Sequence, residues 1–246
     1  MTRRDMRQLR LQYLLGRCAI FLTAPLLTLI IRGMGYRIRN LNTFRRRIDD
    51  LFRTHSGPWI ICANHLTMVD SFLLAYAMFP WHRFMARYSL VPWNVPEKRN
   101  FNRNILLTCI CYLLKCVPIV RGGDRKSIHM FFDKCAYILQ KKESLMIFPE
   151  GTRSRTGRIV PENVSYGVGR LLNIHPDARI LCLYLRGDRQ QTYGVIPKLK
   201  ESFHLDADTV KINIQPRGLK GQRECARKII AQLHTMETAY FETCRQ

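Results

Sequence analysis

Acidic side chains are scarce in this chain. Its 246 residues carry 18 Asp and Glu against 40 Lys and Arg, a formal charge of +22, with arginine in the majority. Such a surface favours anionic partners: nucleic acid, anionic lipid, phosphorylated substrates or an acidic carrier protein. The features that would select nucleic acid are missing. There is no zinc-finger spacing, no RNA-binding sheet signature and no long Lys/Arg run, so nucleic acid is not expected as a partner. Paired Cys-x-x-Cys motifs are missing too, and no metal is expected. The nine cysteines, with Cys109, Cys111 and Cys116 the closest, are odd in number and scattered through apolar segments. They read as reduced core thiols in a cytosolic environment. Ser71 lacks the Gly-x-Ser-x-Gly elbow of a serine nucleophile. Internal repeats and low-complexity segments are also absent. With a hydrophobic fraction of 47%, the chain suits one large domain, or one domain plus a short appendage.

The appendage is at the N-terminus. Residues 1–10 are basic, and residues 11–31 are largely apolar, interrupted by Gly16-Arg17 and Pro25. No Ala-x-Ala-like site follows, which argues against a cleaved signal peptide. A spanning helix is long enough on paper, yet Arg17 would sit inside it, and arginines flank both ends (Arg32, Arg37 and Arg39 on the far side), so no orientation follows. A helix or helical pair lying in the membrane interface fits best, with arginines snorkelling to headgroups; a spanning helix and a soluble one stay open. Residues 1–40 are therefore read as a membrane-associating segment and 41–246 as the main domain.

Along that domain, apolar β-prone runs alternate with helical patterns. Strands are expected at 59–63, 83–87, 117–120, 144–148, 179–185 and 210–214. Helices are expected after Asp70, at 104–115, at 124–140 (Ile128, Phe131, Phe132, Cys135 and Leu139 at helical spacing), at 163–173 and at 222–242; residues 40–55 form a short helix or a loop. This alternation predicts an α/β fold, with a mostly parallel or mixed central sheet flanked by helices.

Three of these strands end in polar groups. After 59–63 comes Asn64-His65-Leu66-Thr67-Met68-Val69-Asp70. A histidine acts as a base when a partner fixes its tautomer and stabilises the imidazolium, and a carboxylate five residues on can reach back to do so. After 144–148 comes Pro149-Glu150-Gly151-Thr152-Arg153-Ser154-Arg155-Thr156-Gly157. Its backbone amides around Gly151 and Thr152 can face an anion, Thr152 offers a hydroxyl, and Arg153 offers a planar fork suited to phosphate. Glu150 could receive a hydroxyl proton or hold an arginine. The third strand, 117–120, ends at Arg121. Parallel strands would bring these ends to one edge: a base, its carboxylate and two phosphate-binding arginines, a set suited to transfer at a hydroxyl of a phosphorylated substrate. Cys62, three residues before His65, reads as core. Leu66, Met68 and the apolar helix at 104–114 could line a groove for an apolar tail or simply pack.

These residues resemble the glycerolipid acyltransferases of the lysophosphatidic acid acyltransferase type. Asn64-His65 to Asp70 matches that family's first motif, Val120-Arg121 the end of its second, and Phe148-Pro149-Glu150-Gly151-Thr152-Arg153-Ser154 the whole of its third. In the fourth, at 180–185, Cys182 stands where a proline is usual, and Pro161-Glu162-Asn163-Val164 stands where a lysine is often found. The resemblance covers roughly residues 55–215 and implies a glycerol-3-phosphate acyltransferase-like fold. It implies direct transfer of a fatty acyl group from acyl-CoA or acyl carrier protein, as co-substrate, to 1-acyl-glycerol-3-phosphate, giving phosphatidate without an acyl-enzyme. His65 would be general base and Asp70 its orienting partner. Arg121, Glu150, Gly151, Thr152 and Arg153 would be acceptor-binding positions, and no cofactor is implied. The expected partners are membrane phospholipid and lysophospholipid and an anionic membrane surface. The expected location is the cytoplasmic face of the membrane, the inner membrane in a bacterium. Another lysolipid acceptor, such as a lyso-aminolipid or a specialised lipid, remains an alternative, as does a non-catalytic basic membrane-surface protein.

Overall fold

The apolar run Trp59–Ala63, buried at every position, forms a strand inside a sheet rather than at its margin. The computed structural model describes residues 1–101, 104–162, 164–212 and 218–243. In chain order its elements are α1 (Arg3–Gly33), β1 (Arg37–Ile38), α2 (Leu41–Arg53), β2 (Trp59–Ala63), α3 (Asp70–Met78), α4 (Trp81–Ala86), β3 (Trp93–Asn94), α5 (Lys98–Phe101), α6 (Ile105–Leu113), α7 (Arg125–Gln140), β4 (Leu145–Ile147), α8 (Gly167–Ile174), β5 (Arg179–Gly187), β6 (Ser202–Val210) and α9 (Gly218–Thr243). The sheet order is β1-β6-β5-β2-β4-β3. Every pairing is parallel except β5 with β6, so the expected α/β fold with a mixed, mostly parallel sheet is what the chain forms.

Strand periodicity divides the core in two. Ile60, Cys62, Ile180, Cys182 and Tyr184 face one cluster, which includes Phe132 and Cys135 of α7, Leu171 of α8 and Ile229 and Leu233 of α9. Ile61, Ala63, Leu181, Leu183 and Leu185 face the other, which includes Ile48 of α2, Leu73 and Leu74 of α3 and Ile20, Ala24 and Ile31 of α1. A sheet covered by helices on both faces needs continuous apolar strands, and β2 and β5 supply them.

Several elements depart from the sequence reading. Residues 83–86 belong to α4 and Arg87 caps it, so there is no strand: Phe84 alone is buried there, and Arg83 pairs with Asp49 of α2. The segment 117–120 is not a ladder strand. It runs beside β3 with isolated parallel bridges, Asn94 with Cys116 and Glu97 with Ile119; Pro118 has no N–H to give a ladder. The last strand among the described residues is β6, ending at Val210 where the reading started it. Its Phe203, Leu205 and Ala207 are buried between His204, Asp206 and Asp208, an alternation masked by its acidic half. Of that expected strand, residues 213 and 214 lie outside the described residues, as does residue 163 of the helix expected at 163–173, which starts at Gly167. The N-terminal segment is one helix through Pro25, not a pair.

Candidate active site

Where β2 stops, its neighbour β5 continues, and the Asn64 side chain fills the gap. Asn64 Nδ2 donates to Leu185 O (2.9 Å), and Leu185 N donates to Asn64 Oδ1 (2.8 Å). The amide thus takes over the bonds a further strand residue would have made, and the main chain is released to turn at His65. The turn is closed by Asp70, the first residue of α3. Its Oδ2 accepts from Leu66 N (2.7 Å) and Thr67 N (2.8 Å) and faces His65 Nδ1 at 3.0 Å, while the Thr67 hydroxyl makes a short bond to Oδ1. A buried carboxylate with four partners, at the positive end of a helix, is fixed in place. It holds the tautomer with hydrogen on Nδ1, leaving the Nε2 lone pair open. Nε2 has no protein partner among the described residues. The imidazole stacks on Phe148, with ring centroids 4.0 Å apart and planes at 19°.

The loop after β4 clamps this turn from the other side. Glu150 Oε1 accepts from His65 N (2.9 Å), and Ser154 N donates to His65 O (2.9 Å). Both backbone groups of His65 are therefore held by that loop. Gly151 turns at φ +73°, a left-handed conformation that favours glycine. Its N–H closes on Phe148 O, so of the two amides expected to face an anion only that of Thr152 is without a protein acceptor among the described residues. Glu150 is buried. Burial pushes its carboxyl up to about 8, the nearby Glu237 and Asp70 add to the rise, and the His65 N–H opposes it. Burial therefore favours its neutral form, and among the described residues it clamps the His65 N–H and pairs with no arginine.

Arg153 Nη1 donates to Gly194 O (2.8 Å), and its guanidinium lies over Tyr193. With Glu150, Thr152, Ser154, Arg155, Thr156 and Val160 it lines a recess of about 350 Å³. Arg155 was not singled out in the sequence, although it shares the motif. Arg121 is apart. Its Nε pairs with Glu97 Oε2 at 2.9 Å and its side chain is half-exposed. It follows the ribbon outside β3, three strand spacings from β2, which is about 14 Å across the sheet. The strand ends at His65 and Glu150 do meet; Arg121 does not join them. Cys62 is fully buried, and burial raises its thiol, as a core residue requires.

Sequence reasoning missed the strap at 193–196. Gly194 N donates to Leu66 O (3.0 Å), and Met68 N donates to Val195 O (3.0 Å), laying the strap along the His65 turn. Its Thr-Tyr-Gly-Val-Ile-Pro composition carries no motif; only the pairing reveals it. Asn64 and Thr67 were within the recognised motif, but their bonds depend on where β5 and α3 lie.

A search of curated proteins returns no match to this chain. A family model described as "Acyltransferase" matches residues 36–220, a span running from β1 to the first residues of α9 and containing the His65 turn, the Glu150 loop and the strap. The chain belongs to this acyltransferase family.

Proposed function

We propose that this acyltransferase esterifies the free hydroxyl of a phosphate-bearing lysolipid, 1-acyl-glycerol-3-phosphate first among them, with an acyl thioester as donor, giving phosphatidate. The observation that carries the reading is the Asp70-held His65, its Nε2 open, on a turn that shares Glu150 and Ser154 with a recess lined by Arg153 and Arg155. His65 Nε2 takes the acceptor's hydroxyl proton as its oxygen forms a bond to the thioester carbonyl carbon. The tetrahedral intermediate then expels the thiolate, which takes the proton back from the imidazolium. Asp70 stabilises the charged imidazolium between these steps. The acceptor phosphate is held by the arginine forks and by the Thr152 amide and hydroxyl, with Gly151 shaping the turn. Glu150 contributes to acceptor binding by holding the loop. Arg121 supplies outlying positive charge that draws anionic headgroups in.

The enzyme works at a membrane surface, with α1 lying in the interface. In α1 Leu9, Gln12, Gly16, Ile20, Ala24, Thr28 and Ile31 form a buried stripe along the helix, and Gln12 Nε2 donates to Tyr112 O and Cys116 O. A helix fastened along its length to the domain suits lying flat better than crossing away from it. Leu14, Phe21, Leu22, Leu26 and Leu29 remain exposed for lipid.

The test is acyl transfer by the purified protein on anionic vesicles, with a panel of lysolipids and with acyl-CoA and acyl carrier protein in parallel. Phosphatidate should form fastest, and His65→Ala should cut turnover about 10³-fold or more. Turnover that survives His65→Ala refutes the base. A lysolipid without an anionic phosphate outrunning lysophosphatidate refutes the acceptor.

A further inference from the structure

The strap after β5 combines a fixed backbone with exposed apolar side chains. Gly194 and Val195 are tied to the His65 turn, and Gly194 O also accepts from Arg153. Tyr36 donates its hydroxyl proton to Pro197 O (2.8 Å), Arg189 donates to Leu199 O (2.6 Å), and Lys200 N donates to Met34 O (2.8 Å). Yet Tyr193, Val195, Ile196 and Leu199 are exposed, the last three at 65%, 54% and 64%. Holding a backbone rigid while presenting four apolar side chains to water has no folding benefit, and clustered apolar exposure marks an interaction surface.

Its neighbours also indicate what covers it. The strap's far end is fastened to the C-terminal end of α1 through Met34 and Tyr36, so it adjoins the helix that carries the other exposed apolar side chains, Leu22, Leu26, Leu29 and Ile30. Lys198 and Lys200 flank Leu199 and are exposed, and the chain carries +22. Exposed apolar side chains bordered by lysines match the boundary between anionic headgroups and acyl chains.

We propose that residues 193–199 form a second membrane-contact element, inserting Tyr193, Val195, Ile196 and Leu199 into an anionic leaflet and thereby setting the His65 turn against the bilayer surface. This rests on the reading of α1 as an interfacial helix. The strap's ties to Leu66 and Met68 are backbone bonds, so docking reports directly to the loop that bears the histidine, and side-chain replacement on the strap leaves those ties in place.

The experiment uses full-length protein on vesicles of phosphatidylglycerol and phosphatidylcholine. Val195→Trp should shift its added emission to the blue on binding and be quenched by phospholipid brominated in the acyl chain. Wild type supplies the background from Trp59, Trp81 and Trp93. Ile196→Asp with Leu199→Asp should raise the apparent KM for vesicle-borne lysolipid about tenfold, while turnover of a monomeric short-chain acceptor stays within about twofold. Val195→Trp emission that stays water-like on vesicles already carrying the protein overturns the proposal. So does shielding only by an acidic acyl carrier protein, which would make the strap a protein-docking site. The fluorescence arm needs no turnover: insertion without acyl transfer would sink the proposed reaction alone, and transfer without insertion would sink the strap alone.

Discussion

Two buried carboxyl groups face the same histidine from opposite sides, and their surroundings differ. Asp70 sits at a helix N-terminus and takes hydrogen bonds from two backbone amides, a hydroxyl and the imidazole. Glu150 sits in the loop after β4, takes one backbone N–H from His65, and is pushed up to about 8 by burial and its acidic neighbours. The first carboxyl is held by four hydrogen-bonding partners, and the surroundings of the second favour a neutral group. In the proposed reaction this divides the work: Asp70 balances the charge that His65 acquires, whereas Glu150 holds the His65 backbone without adding a second negative charge to it.

Asp70→Asn is the strongest way to break that contrast. The amide would have to accept from two N–H groups and a hydroxyl and still serve His65 Nδ1. It carries no charge to offset the imidazolium. Turnover should fall about 10³-fold or more with little change in KM, measured by steady-state kinetics on vesicles beside a circular dichroism check of folding. A variant that keeps a tenth of the activity would remove Asp70 from the charge balance.

At Glu150 the two conservative replacements should separate. Glu150→Gln is neutral and keeps an oxygen for the His65 N–H, so activity at pH 7 should stay within about threefold of wild type; Glu150→Asp is too short to reach, leaves that N–H unpaired, and should lose about 10- to 100-fold. The pH dependence follows from the raised carboxyl. The folded protein keeps a proton that the unfolded chain releases near 4.5. The stabilisation from Glu150 is therefore complete below that value and lost as pH rises towards about 8. Denaturation midpoints across this window should fall in wild type relative to Glu150→Gln. Parallel curves would mean that Glu150 is ionised throughout.

Thr67→Val tests the smaller supports of Asp70. It removes the hydroxyl on Oδ1 and leaves both backbone amides, and should lower turnover about tenfold, the worth of one hydrogen bond to a charged group.

The sheet's centre was legible because β2, β4 and β5 are apolar on both faces, and both catalytic-type loops follow such strands. Legibility failed where pattern and pairing diverge. β1 and β3 are two residues each, too short for any period. β6 hides its buried residues between His204, Asp206 and Asp208. The His65–Asp70 pair could be anticipated from spacing, since reach-back across one turn is a local matter. The contact of Glu150 with His65 N is set by the register of β2 beside β4, Cys62 with Ile147, and that register is not written in either loop. The same holds for Cys182. It pairs with Cys62 on one side and Asp208 on the other, a central-strand position where the proline usual in this family would take a donor from the sheet.

Arg121 sharpens the comparison most finely, because it carries the motif residue's charge but stands outside the cluster. Its partner Glu97 offsets its charge, and the half-exposed guanidinium is screened by salt. If its role is to draw anionic headgroups towards the Arg153 recess, Arg121→Ala should raise KM for lysophosphatidate about threefold at low ionic strength, leave kcat unchanged, and lose that difference near physiological salt. Arg153→Ala, by contrast, should raise KM at every ionic strength, because it removes a fork that lines the recess itself, together with its bond to Gly194 O. An Arg121→Ala defect as large and as salt-insensitive as that of Arg153→Ala would mean that Arg121 leaves Glu97 and grips the phosphate directly when the acceptor is bound.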